Sequence, residues 1–383
     1  MIYQPHFLYR LKLIFVFLVV KLKFLHPLLP KRLRTELPIG WNNHMFWVAF
    51  KSGGTKIFFD YYSKLREPLS YQPKAVVAPE YRLTEEDIRF FHENGYIGPF
   101  DLIPSDEVKG IQEHLVNLVT HTESKVHAYS QGNYEFERDE KETDKNEEAY
   151  KIINSANRHL EDSVLRNLFK NPAITERCAQ LLGPDVILWR SIFFNLPPFG
   201  DGVAWHQANT WLGDNLKESV VQPPDFEEIF QLTCWIALTD AYKENGCMAL
   251  IPGSHREIYP TKFDLGMNNE ASEKYKRAYG IFDGNLDYSV DPQKVKYIEM
   301  KAGQFYLFTE RLVHGSIDNV TNNPRWAVNA RITRTDVKLY TEKMLKEQHE
   351  TVFFGVNKMK LDNWKALLIR GEDRFGYNRL FEE

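Results

Sequence analysis

From residue 185 onward the chain consists of short apolar, β-branched segments separated by Gly, Pro and Asn. They are Val186–Phe194, Phe230–Leu238, Met248–Ile251, Val295–Met300, Gln304–Thr309 and Trp326–Thr333, each four to nine residues long. Such runs are short for helices and rich in residues that pack well on a pleated surface. Many short strands joined by turns and long insertions predict an antiparallel sandwich or jelly roll. Helices are expected around this core. Thr84 precedes Glu85, Glu86 and Asp87, the Ser/Thr-x-x-Asp/Glu start of a helix that ends near Gly95. A second helix is expected from Ser105, with Val108, Ile111, Leu115 and Leu118 on one face. A third runs from Pro172 to Leu182 and stops at Gly183-Pro184. Residues 129–149 hold eight acids and three bases and read as a solvated loop or a lid. Residues 36–75 carry a Gly53-Gly54 turn signal and no assignable role, and the chain after about 340 reads as helical and peripheral.

Composition limits the function classes. Hydrophobic residues make up 43% of the 383, enough for a large core and too many for a disordered chain. The only cysteines are Cys178, Cys234 and Cys247, too few for a disulfide framework, and no CxxC suggests zinc. Cys234 and Cys247 read as buried core thiols, and a reducing, cytoplasmic setting is expected. The net charge of -4 is uneven, because residues 1–35 carry +7 and the remaining 348 carry -11. A basic start on an acidic body argues against a nucleic-acid binder. The uninterrupted apolar run Leu13–Val20 is eight residues, far short of the ~20 needed to span a bilayer. The first 35 residues therefore admit a secretory signal without a clear cleavage site, an interfacial membrane segment, or an amphipathic helix packed on its own domain.

Among twelve histidines, two stand out by context. His206 follows the Pro/Gly turn at 197–203, in Trp205-His206-Gln207-Ala208-Asn209-Thr210. His314 follows the strand Gln304–Thr309, in Leu312-Val313-His314-Gly315-Ser316. Each is expected at a strand end, pointing into a barrel mouth. Arg325 follows His314 by eleven residues and enters the next strand. His255, in a turn motif, is expected to be structural.

These features resemble the phytanoyl-CoA dioxygenase superfamily of non-haem Fe(II)/2-oxoglutarate enzymes. The shared residues are Trp205-His206-Gln207, the Glu-Asn-Gly-Cys-Met run at 244–248, the Ile-Pro-Gly-Ser-His run at 251–255, Ala-Gly-Gln-Phe at 302–305, and His314-Gly315 followed by Arg325. The resemblance spans roughly 84–340 and implies a mainly β fold with surrounding helices and a double-stranded β-helix (jelly-roll, cupin-like) core. Residues 1–35 would form a basic apolar segment, 36–83 an N-terminal extension and 341–383 a helical C-terminal extension. Members use a His-x-Asp…His triad to hold iron, leaving positions for cosubstrate and O2.

Where the Asp should stand, this chain has Ala208. The closer resemblance is to the Fe(II)/2-oxoglutarate-dependent aliphatic halogenases, which share a His-x-Ala signature. It extends to Phe-His-Glu-Asn-Gly-Tyr-Ile-Gly-Pro-Phe at 91–100, Arg-His-Leu-Glu-Asp at 158–162 and Leu-Leu-Gly-Pro-Asp-Val at 181–186. It implies that His206 and His314 bind iron, that Ala208 makes room for chloride, and that Arg325 grips the distal carboxylate of 2-oxoglutarate. Trp235 would lie against 2-oxoglutarate, with Thr233 and Arg331 near the halide. Gly213 stands where tethered-substrate relatives can carry an Asn, and Asn209 or Asn215 is the alternative source of that amide. The implied reaction consumes 2-oxoglutarate and O2 and chlorinates an unactivated carbon, on a substrate tethered to an acyl-carrier or peptidyl-carrier protein. A hydroxylase of a lipid-like substrate, a non-catalytic homologue, and a carboxylate supplied by Asp201 or Asp214 are the alternatives.

Overall fold

The computed structural model describes residues 6–30, 34, 37–126, 134–136, 154–212, 218–262, 285–347, 356–359 and 361–382. Its centre is two facing antiparallel sheets. The strands are β1 (Tyr96–Asp101), β2 (Val186–Leu196), β3 (Val203–His206), β4 (Gln231–Ala237), β5 (Met248–Leu250), β6 (Lys296–Ile298), β7 (Gln304–Phe308), β8 (His314–Ser316), β9 (Arg325–Arg334) and β10 (Leu367–Arg370). The larger sheet has the order β10-β2-β9-β4-β7-β1, and the smaller has β6-β5-β8-β3. The expected jelly-roll core is present, with each anticipated strand within a residue or two of its place.

The larger sheet is covered on both sides, which explains why its strands read as continuous apolar runs. On one face Trp235, Tyr306, Phe308 and Ala327 pack against Leu250, Ile298 and Leu312 of the smaller sheet and its loops. On the other, Leu232, Cys234, Ile236, Val328 and Ile332 meet helices α3 (Glu85–Asn94), α4 (Val108–His121) and α5 (Pro172–Leu182). Strand β4 is buried at every position. Helix α3 is closed by a full capping box between Thr84 and Asp87, a device that stabilises by about 1 kcal/mol, and by Gly95 at φ 84°. Helix α4 starts at Val108 rather than Ser105, because Glu107 and Val108 both donate to the carbonyl of Pro104 in a preceding turn.

Two N-terminal helices, α1 (His6–Lys21) and α2 (Asn43–Ser52), pack together beside this core. Leu13, Val19 and Val20 meet Met45, Phe46 and Ala49 in a separate apolar cluster. The Gly53-Gly54 turn ends α2, and a Cβ on Gly54 would meet the Tyr9 ring of α1 at 2.7 Å. Among the described residues, no helix is long and apolar enough to cross a membrane.

The chain after 340 departs from expectation. Among its described residues it contains one six-residue helix, Glu342–Glu347, and it then returns to the sheet, where β10 pairs with β2. Leu361, Trp364 and Ala366 are buried, and the Trp364 indole N–H donates to the carbonyl of Trp189 at 2.9 Å. A four-residue apolar run such as Ala366–Ile369 carries no periodicity that separates strand from helix. The charged segment 129–149 lies outside the described residues, except for the strand Tyr134–Phe136, which pairs with Val356–Met359.

Candidate active site

Strands β3 and β8 pair so that His206 and His314 stand opposite each other. Their rings lie side by side, with centroids 4.1 Å apart and planes tilted by 50°. Each Nδ1 bonds to the backbone carbonyl two residues upstream, His206 to Ala204 at 2.8 Å and His314 to Leu312 at 2.7 Å. A carbonyl only accepts, so Nδ1 carries the proton and Nε2 carries the lone pair. Burial pushes the His206 pKa below its ordinary value. Burial does the same to His314, and the neighbouring His206 pushes it further. The result is a pair of neutral imidazoles with their orientation fixed by the backbone, a donor set that fits a divalent first-row metal.

A third ligand of the usual kind is missing. Among the described residues, no group of three or more His, Cys, Asp and Glu side chains is arranged to hold a metal. Ala208 is buried two residues beyond His206 and offers only a methyl group. Asp201 is exposed in the loop before β3, and Gly213, Asp214 and Asn215 lie outside the described residues.

The sequence reading missed a carboxylate that does reach this region, that of Glu310. It lies in the turn between β7 and β8, is 2% exposed, and its carbonyl accepts from the N–H of Ala208 at 2.9 Å. Its Oε1 accepts from the Thr233 hydroxyl at 2.8 Å and from Arg331 Nε at 2.6 Å. Its Oε2 is buried without a hydrogen-bond partner among the described residues. Thr233 and Arg331 are opposed on β4 and β9. The two residues expected to line a halide pocket are therefore together, and they already hold a protein anion. The Arg331 guanidinium also stacks 4.1 Å from the centre of the Trp211 ring.

Arg325 and Trp235 form the neighbouring part of the site. Arg325 opens β9, is 3% exposed, donates from Nε to Gly246 O at 3.1 Å and lies 5.4 Å from the Trp235 ring centre. Trp235 packs on Tyr306, which stacks on Phe308, whose ring is 4.9 Å from that of His314. A chain of aromatic contacts thus links the arginine to the histidine pair.

The N-terminal extension braces this site. Asp60 is buried, and its Oδ1 accepts from the N–H groups of Thr210 and Trp211, both at 2.6 Å. Burial raises its pKa, and those N–H groups oppose the rise. Arg311, next to Glu310, is wholly buried, and burial lowers its pKa to about 10. It donates to Ser63 Oγ at 2.8 Å, to Ser63 O at 2.9 Å and to His255 O at 3.0 Å. Gln207 bonds to the backbone of Glu257 and Tyr259, at 3.0 Å each. His255 meets the carbonyl of His92 at 3.0 Å. The available sequence signal was an acid-arginine pair set in apolar context, its acid four residues before His314, and an Asp in the middle of the aromatic run at 58–62.

A jelly roll that presents two neutral, backbone-oriented imidazoles on adjacent strands has the fold and two of the usual three protein ligands of a non-haem metal enzyme. A family model described as Phytanoyl-CoA dioxygenase (PhyH) matches residues 91–327, and the chain belongs to that family. It is 24% identical over 279 residues to a phytanoyl-CoA dioxygenase of Arabidopsis thaliana, covering 66% of this chain and 90% of the relative. It is likewise 24% identical over 309 residues to the peroxisomal phytanoyl-CoA dioxygenase of Homo sapiens, covering 76% of this chain and 83% of that one. Among solved structures, "CytC3 with Fe(II) and alpha-ketoglutarate" superposes with a TM-score of 0.53 at 21% identity, covering 78% of this chain and 94% of the other. At that identity the likeness is one of fold.

Proposed function

We propose that the protein is an Fe(II)/2-oxoglutarate-dependent halogenase that places chlorine on an unactivated aliphatic carbon of a carrier-tethered acyl or aminoacyl group. Ala208 carries the reading. It is buried beside the histidine pair at the position where the family pattern has an Asp, and a methyl group leaves room for a monodentate anion. With iron, 2-oxoglutarate and O2 bound, the metal supplies hydrogen abstraction from carbon. The protein supplies position. His206 and His314 would hold the iron, and their Nδ1–H···O=C bonds fix the ring planes. Arg325 would take the distal carboxylate of 2-oxoglutarate, with Trp235 as the wall beneath it. Arg331 and Thr233 would supply a cation and a hydroxyl near the halide.

Hydroxylation is the second reading, and Glu310 favours it. A carboxylate near enough to His206 to act on its charge, with one buried oxygen lacking a hydrogen-bond donor among the described residues, would supply the negative charge of the missing Asp and repel chloride, although it does not complete a three-ligand set with the two histidines. Product mass separates the two. Reaction in chloride and then in bromide buffer should give a product bearing chlorine and then bromine. A product carrying only oxygen in both would establish the hydroxylase instead, and no binding of 2-oxoglutarate by the Fe(II) protein would remove both readings.

A further inference from the structure

We propose that helix α1 docks the protein on anionic membrane surfaces, lying in the headgroup plane. The observation is a helix with two apolar faces, of which its own domain uses one. Leu13, Val16 and Val20 pack inward against α2 and its surroundings. Phe7, Leu11, Ile14, Phe15, Leu18 and Leu22 are exposed, Phe7 at 68% and Phe15 at 64%. At about 100° per residue these six fall within one arc of about 100°, opposite the buried face. Leu22 extends the stripe, since its N–H still bonds to Leu18 O at 3.0 Å. Beyond it, Phe24 and Leu28 are 72% and 78% exposed. Beside the stripe, Ile14, Phe17, Trp47 and Phe50 line an apolar groove of about 340 Å³ between α1 and α2. Scattered exposed apolar residues need no explanation, but a contiguous stripe of this length marks a contact surface.

Charge identifies the occupant. On the same helical projection, exposed Lys21 borders the stripe on one side, next to Arg10, which donates to the carbonyls of Phe50 at 3.1 Å and Lys51 at 3.0 Å on α2, and exposed Lys12 lies on the other side, past Leu8 and the buried Val19. Residues 1–59 hold nine Lys and Arg and one acid, a net charge of +8. An apolar stripe edged by long cationic side chains suits a bilayer interface, where the ring and aliphatic groups enter the acyl boundary and the cations reach phosphates. A second copy of this chain would set +8 against +8. The body beyond residue 59 is acidic, so the cations also orient the molecule with α1 toward the anionic surface.

The full chain, sedimented with vesicles of phosphatidylcholine and of phosphatidylcholine mixed with phosphatidylglycerol, tests this. Binding is expected with the mixed vesicles, with loss as salt rises. The double variant Phe15→Ser with Leu18→Ser should lose at least about tenfold in vesicle affinity while its melting temperature stays unchanged, because both side chains are exposed. Lys12→Glu with Lys21→Glu should lose several-fold and flatten the salt dependence. No binding to the mixed vesicles at low salt overturns the proposal, as does binding that neither variant weakens. A dimer in solution that the Phe15/Leu18 variant dissolves, with no vesicle binding, overturns it in favour of a self-interface.

Discussion

The backbone N–H of Ala208 donates to the carbonyl of Glu310 at 2.9 Å, so the residue that lacks a carboxylate is tied to the one that brings it. An acid from the turn before β8 sits between Thr233 and Arg331.

Ala208→Asp should abolish chlorination and leave Fe(II) binding intact or tighter, because the new carboxylate takes the position left for the anion. Metal affinity measured by calorimetry and product mass read it together. Chlorinated product from this variant would contradict the assignment of the halide position.

Glu310→Gln keeps the shape and the hydrogen bond from Thr233 but removes the charge. Like charges within a few ångströms in a poorly solvated site disfavour one another by about 1–3 kcal/mol. Chloride should therefore bind about tenfold tighter, read from a chloride titration of the visible band of the Fe(II)–2-oxoglutarate complex. A fall of tenfold or more in iron affinity, with no gain for chloride, would make Glu310 the metal's carboxylate and the enzyme a hydroxylase.

Arg325→Lys should weaken 2-oxoglutarate by about tenfold to a hundredfold without changing iron affinity. A lysine lacks the planar fork that pairs with both oxygens of a carboxylate, and it loses the stacking on Trp235 seen at 5.4 Å. Equal loss of metal and cosubstrate binding would place the arginine's role in structure instead.

Legibility from sequence followed the range of the interaction. The strands were readable because the larger sheet is buried on both faces, so β4 is apolar throughout rather than alternating. His206 and His314 were readable because local motifs mark each strand end. Glu310 was not, since its role depends on strand registers that bring residues 233, 310 and 331 together. Asp60 was illegible for the same reason, because its partners lie 150 positions away in sequence. In the N-terminal segment one helix carries two apolar faces, so periodicity alone could not separate a packed helix from an interfacial one.

Asp60→Ala should lower stability by about 2–3 kcal/mol, the cost of leaving the buried N–H groups of Thr210 and Trp211 without an acceptor. The loop it holds follows His206 directly and includes Trp211, which stacks on Arg331. Chemical denaturation should register the loss, and cosubstrate binding should weaken alongside it. Unchanged stability would mean that the loop finds other acceptors.

Stability should also fall with pH in a defined window. Burial pushes His92 to about 4, helped by the nearby charge of Lys74, and burial likewise pushes His255 to about 4, helped by Arg311 and Arg256. The unfolded chain takes protons on both rings near pH 6.5, while the folded chain refuses them until about 4. Above about 6.5 neither ring contributes a pH dependence. Between about 6.5 and 4 the unfolded state binds more protons, so folding weakens as pH falls, and below about 4 their contribution is constant. His255→Gln keeps an N–H donor for the carbonyl of His92, which the ring meets at 3.0 Å, and removes one titrating group. Melting temperatures of the metal-free protein should therefore drop less steeply for this variant than for the wild type across that window. Acidic side chains titrate alike in both proteins, so the difference between the two curves isolates the histidine. Parallel curves would show that His255 takes up its proton alike in the folded and unfolded states, which its buried position between His92 and Arg311 argues against.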